Sequence, residues 1–390
     1  MTEPRRLRGH KATATCCIAS RDKPGLVATS GEDGCICWFD MRCKDVKFVM
    51  DVSNEPISSL CFNSGNENII YVSTGNEVKC FDVHTLADNS WKPLESYNYN
   101  KEEINQVTCN SRSSFLASAD DGGEIKIIDI RQKRIFKTLR AGHTSVSLLF
   151  KPFACSYCIC SSVQFIPWRP WESRSLRFYI VTGGLDSKFI IWDFSKGRPS
   201  KIVDFGLPDM HSGGNAGQCL NPAFVHSVKV PDVDILDKIG KICVVARGDG
   251  VIDVINTESE LTATKPKSST KSRKGTQSKG SDGGVPDENG RKWLHLDYSL
   301  GGHTAAVSCM TFSLFGEKGK FLVSGGNDKL VKVWDCSRCL DSWQTGDTNE
   351  LLHLNINLTK KVNWLCTTPA ESDNLVVCDT TKLVKVYTVS

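Results

Sequence analysis

No stretch of the chain comes near the ~18 consecutive apolar residues that span a membrane, and the opening MTEPRRLRGH lacks the apolar core of a secretory signal. No His is followed by Glu, so the HExxH zinc-protease motif is missing, as are the GxxxxGK[ST] phosphate loop and the GxSxG nucleophile elbow. Catalysis has no foothold among these motifs, and no cofactor is implied. Charge of one sign is scarce too. Lys and Arg number 48 against 44 Asp and Glu, a net +4 over 390 residues, too slight for phosphate neutralisation to organise the whole molecule. Eighteen cysteines stay below the ~8–10 per cent of a small disulfide scaffold. Cys61, Cys80, Cys243, Cys309, Cys366 and Cys378 lie in apolar, strand-like runs, as reduced and buried thiols do. The expectation is a cytoplasmic or nuclear protein.

What the chain does have is a repeat. Gly302-His303 opens one copy, which runs through Val307 to Phe312, Leu322 to Gly326 and Asp328, and closes on Leu330-Val331-Lys332-Val333-Trp334-Asp335. Gly142-His143 leads in the same way to Trp192-Asp193, and Gly9-His10 to Phe39-Asp40. Four weaker copies close near Asp82, Asp129, Asn256 and Tyr387, after short β-branched runs punctuated by Gly and Asp. Successive closures are 42 to 79 residues apart, beginning near the ~40–45 of a WD-repeat blade and growing where insertions sit. The pattern resembles the WD-repeat family. It implies an all-β fold, a seven-bladed WD-repeat β-propeller making one domain over residues 1–390, with residues near Leu7 supplying the outer strand of the last blade.

The three strong copies carry His, Ser or Thr, Asp and an aromatic at the family's spacing for a buried hydrogen-bond network. The sets are His10, Thr29, Asp33 with Phe39; His143, Thr182, Asp186, Trp192; and His303, Ser324, Asp328, Trp334. A hydrolase reading of Ser/His/Asp is set against the recurrence of the set in blade after blade, which fits a structural template. Phe39 stands where the indole donor would be, so the first network is expected to be incomplete.

Two insertions stand out. The fourth copy is interrupted between His143 and Val181, with Val146–Phe150 or, preferably, Ile159–Phe165 as its first strand, and the surplus contains Trp168 and Trp171. These two indoles form either a partner patch or flank packing. Residues 257–292, eight basic against five acidic, read as a disordered basic linker between blades five and six. It is either a passive solvated insertion or a nuclear signal, nucleic-acid tether or phosphorylation-tuned segment. Two CxxC pairs, Cys155/Cys158 and Cys336/Cys339, fall in different blades and on different faces, against a shared zinc site.

Several further segments are not generic blade features, notably Asn221-Pro222-Ala223 with His226-Ser227, and Lys361-Val362-Asn363-Trp364-Leu365. With Glu102–Asn105, Leu116–Asp129, Cys160–Phe165 and Gly325–Asp328, they resemble one particular WD-repeat family, similar to substrate receptors of cullin-4 ubiquitin ligases. In those receptors blades end in Trp-Asp-x-Arg, whose Arg meets the damage-specific DNA-binding protein adaptor. Here Phe39-Asp40-Met41-Arg42 and Ile128-Asp129-Ile130-Arg131 match at Asp and Arg and depart at Trp. The resemblance implies a non-enzymatic scaffold, monomeric within a complex, with Asp40, Arg42, Asp129 and Arg131 as its adaptor contacts. A general scaffold or peptide reader, and a nucleic-acid protein acting through 257–292, are the alternatives.

Overall fold

The computed structural model describes residues 3–43, 45–83, 92–112, 114–140, 142–143, 159–167, 178–207, 219–232, 242–262, 293–339 and 350–389. Their strands form seven four-stranded antiparallel sheets. In six of them the strands follow chain order from the axis outward. Blade one, for example, stacks Ala14–Ala19, Leu26–Gly31, Cys35–Asp40 and Val46–Asp51. Its tight second-to-third turn needs Gly34, whose φ is +69° and whose missing Cβ would sit 1.8 Å from the Ser53 carbonyl oxygen. The seventh sheet takes its outer strand from the other end of the chain, where Arg5–Leu7 pairs with Val384–Val386. No helix among the described residues is long and apolar enough to cross a membrane.

The blades stack because the third strands alternate apolar residues toward both neighbours. In Lys188–Asp193, Ile190 and Trp192 pack toward blade three, while Phe189 and Ile191 pack toward blade five. Seven apolar clusters result, one at each junction of neighbouring blades. The junction between blades seven and one joins Leu7, Cys17, Val27 and Phe39 to Cys366, Val376, Cys378 and Val384. It is built like the other six.

Each inner strand also carries a β-bulge one residue after its start. The bulged side chains stitch neighbouring blades together. Thr15 donates to the Ile57 carbonyl at 2.6 Å, Asn105 to Cys160 at 3.3 Å, Ser308 to Val362 at 2.6 Å and Asn363 to Ala14 at 3.1 Å. Ser58 likewise donates to Ile104, and Ser161 to Val225. The seventh bulge residue, His226, has no hydrogen-bond partner among the described residues, and burial lowers its pKa.

Antiparallel order gives the ring two distinct faces. First-to-second and third-to-fourth turns lie on one, here termed the closure face. Second-to-third turns and the connections between blades lie on the other, the network face. The basic segment requires a correction. It departs from the third strand of blade five, Ile252–Asn256, and returns as that blade's own fourth strand, Trp293–Leu296. It is therefore an insertion within blade five, because the sequence repeat ends one strand earlier than the sheet does. Residues 257–262 are also not linker but a short helix, Thr257–Thr262. Its buried Glu260 accepts from Trp293 Nε1 at 2.9 Å and lies 3.1 Å from Lys201 Nζ. Residues 263–292 lie outside the described residues, as do Val146–Phe150, Trp168 and Trp171. The inner strand of blade four is Cys160–Phe165.

Candidate protein-interaction face

The network face holds the three His sets. In blade four, His143 Nδ1 is 3.0 Å from Asp186 Oδ1 and Nε2 is 2.8 Å from Thr182 Oγ1, which accepts from Trp192 Nε1 at 2.9 Å. The order of donors follows. Indole donates to hydroxyl, hydroxyl to Nε2, and Nδ1–H to carboxylate, a chain satisfied by a neutral imidazole. Blade six repeats it with His303, Asp328 at 3.0 Å, Ser324 at 2.9 Å and Trp334 at 3.0 Å. In blade one His10 reaches Asp33 at 3.1 Å and Thr29 at 2.8 Å, but Phe39 occupies the indole position. Trp38, one residue away, stacks on Phe48 at the opposite junction, and its buried Nε1 has no partner among the described residues. Thr29, Thr182 and Ser324 are each fully buried, so no substrate carbonyl can approach these hydroxyls. Each Asp also accepts backbone N–H groups, as Asp33 does from Lys11 at 2.7 Å and Cys35 at 3.2 Å. The sets therefore hold loops in place.

A fourth network was not read from the sequence. Asn100 Nδ2 donates to Asp120 Oδ2 at 2.8 Å, and Ser118 Oγ to Asn100 Oδ1 at 2.7 Å. In the His blades a glycine stands where blade three has Asp120. A Cβ on Gly184 would lie 2.5 Å from His143 Nδ1 and 2.6 Å from Asp186 Oδ1. The shorter Asn100 frees that space, the carboxylate moves two residues back onto the strand, and Gly122 takes the turn position. Tyr99-Asn100 in place of Gly-His, 18 residues before a Ser, is the signal that could have found it. Blades five and seven use ion pairs instead. Arg247 forks between Asp249 and Asp253, with His295 Nδ1 2.5 Å from Asp253, and Lys385 lies 2.5 Å from Asp379.

The closure face carries the Asp-x-Arg turns. Arg42 is 81 per cent exposed, yet its Nε and one terminal nitrogen lie 2.9 and 2.7 Å from the two Asp40 oxygens. That fork holds the Asp40 carboxyl down at about 2. Asp129 accepts from the backbone N–H of Arg131 at 3.0 Å and Gln132 at 2.9 Å, leaving the Arg131 side chain exposed. Asp193 and Asp335 use the same turn with Ser195 at 2.6 Å and Ser337 at 2.5 Å, and no Arg at that position. Antiparallel order places Arg42 and Arg131 on one face, two blades apart, at equivalent turns. The corresponding residue of blade two, His84, lies outside the described residues. Burial pushes the Cys336 thiol up, and that of Cys339 to about 12. Cys155 and Cys158 fall outside the described residues.

Comparison with known proteins agrees with this architecture. The WD domain, G-beta repeat model matches residues 1–40 and 295–335, and the NUP159/214 beta propeller model matches residues 40–156. Restriction of telomere capping protein 1 of Saccharomyces cerevisiae is 21 per cent identical over 53 per cent of this chain and 13 per cent of its own length. The GATOR2 complex protein WDR24 of Danio rerio is 20 per cent identical over 45 per cent of this chain and 20 per cent of its own. The WD repeat-containing protein 53 homolog of Dictyostelium discoideum is 24 per cent identical over 98 per cent of this chain and 94 per cent of its own. With seven stacked sheets and polar networks in the repeat's positions, the chain is a seven-bladed β-propeller, similar to WD repeats over residues 1–40 and 295–335 and almost from end to end to that homolog.

Proposed function

We propose that this WD-repeat scaffold is a substrate receptor of a cullin-4-type ubiquitin ligase, meeting the damage-specific DNA-binding protein adaptor through the closure face of blades one and three. The observation that carries the reading is the paired presentation of Arg42 and Arg131. Each sits at the same turn of its blade, is permanently charged, and projects to solvent beside an Asp that fixes the turn. Phe39 and Ile128, which replace the Trp of the receptor motif, are both buried in blade junctions. They keep the apolar anchoring of the turn and forgo the indole donor. The recruited protein would bind elsewhere on the rim.

The test is recovery of the adaptor with wild-type protein and with the Arg42→Ala, Arg131→Ala double variant. Loss of at least tenfold, with the melting temperature unchanged, is expected. Recovery at the wild-type level overturns the receptor role and leaves a general scaffold. That second reading draws on one observation: in the unbound chain one edge of the Arg42 guanidinium, Nε and a terminal nitrogen, is already engaged by Asp40.

A further inference from the structure

The inner strands enclose a cavity of about 380 Å3 on the closure-face side of the axis. Its wall takes hydrogen-bonding groups from three blades, Thr108, Gln164 and Thr311. Two cations reach it. Arg21, from blade one, forms an ion pair with Asp232 of blade five, and this pair bridges well-separated parts of the ring at the cavity mouth. Lys229 lies deeper, on the inner strand of blade five, its ammonium 5.7 Å from the ring centroid of Trp364 in blade seven. It has no hydrogen-bond or ion-pair partner among the described residues, and burial lowers its pKa. A π face returns only part of what desolvating an ammonium costs. The Asp232 carboxylate offsets part of that cost at a distance, but no group of the described residues meets the ammonium directly. Trp364 also belongs to a segment that is not a generic blade feature, Lys361–Leu365, and Gln164 to Cys160–Phe165, another segment that carries the family resemblance. The ligase reading gives those segments no role.

We propose that the cavity binds a small organic anion, with a carboxylate or phosphate group seated on Lys229 and the rest of the molecule hydrogen-bonded by Thr108, Gln164 and Thr311. The volume is within the range of small-molecule sites, ~300–1,000 Å3. The carboxylates at the rim, Asp22, Glu67 and Asp232, select against polyanions and nucleic acid. The Arg21–Asp232 pair lies at the rim of the cavity, exposed to solvent. The site shares no residue with the Arg42/Arg131 turns, so each reading can fail without the other.

The experiment follows thermal unfolding and titration calorimetry of the full chain. Probes are inorganic phosphate and glycerol phosphate in one arm, and acetate and an N-acetylated peptide with a free C-terminal carboxylate in the other. Chloride at matched ionic strength is the blank. One arm is expected to stabilise and bind the wild type, as a ligand of the folded state must, and to bind Lys229→Met at least tenfold more weakly. The variant should melt no lower than wild type, because a desolvated ammonium without a direct partner is replaced by an apolar side chain of similar shape. That separates lost binding from lost folding. If no probe binds, or every probe binds both proteins equally, the proposal is overturned.

Discussion

At the scale of single residues, the molecule's polar core depends on imidazoles in two opposite situations. Burial lowers the pKa of His303, so its folded value lies below the ~6.5 of an unfolded histidine. The unfolded chain then binds more protons, and the stability this residue contributes is present above about pH 6.5 and falls as pH drops. Bonding to Asp253 raises the pKa of His295, so its contribution is full below about pH 6.5 and is lost as pH rises through the folded value. Replacing His303 by Asn, the residue blade three uses at Asn100, should flatten the decline of the melting temperature between pH 7 and 5. His295→Gln should flatten the decline on the alkaline side. Scans of both variants against wild type check the pair of signs. The networks of blades one, four and six were legible because Gly-His and a turn Asp keep their spacing. That of blade three was not, since an amide replaced the imidazole and the acid moved from turn to strand. Arg247 and Lys385 were hidden for a different reason: a charge in a strand reads as a solvated face until its buried partner is known.

Among elements, the outer strand Arg5–Leu7 is the one whose partner lies farthest away in sequence. Leu7 is 1 per cent exposed and packs in the junction of blades seven and one. Leu7→Ala should cost about 2–4 kcal/mol, measured by denaturant unfolding, although only three residues form the strand. A loss under about 0.5 kcal/mol would mean the strand is dispensable for closure. The outer strand near Leu7 was readable because polar Pro4–Arg8 directly precedes the first Gly-His. The place of the basic segment was misread because the repeat visible in a sequence ends with the third strand, where the Trp-Asp signal lies. The fourth strand, here Trp293-Leu294-His295-Leu296, has weak patterning and gives no boundary. Trp293 and Glu260 close the base of that insertion, a contact that joins residues 33 positions apart and leaves no periodic trace.

Over the whole molecule, the bulge residues make a ring of inter-blade hydrogen bonds with a break at His226. Every donor in the ring points to the blade that follows it. His226→Ser should place a hydroxyl where Ser161 and Ser308 have theirs, and let it donate to the Val307 carbonyl. A gain of about 0.5–1.5 kcal/mol is expected, read as a higher denaturation midpoint. A loss would show that His226 serves the fold in some way other than as a missing stitch.

The pairing of Arg5–Leu7 with Val384–Val386 also has a consequence in time. A ribosome adds ~5–20 residues per second, so about 20–80 s pass between the appearance of Leu7 and that of its partner strand for a chain of 390 residues. Throughout that interval the flank of blade one formed by Cys17, Val27 and Phe39 has no neighbour. The nascent chain therefore carries an apolar surface that only blade seven can cover, and the ring closes when the strands of that blade have left the ribosome.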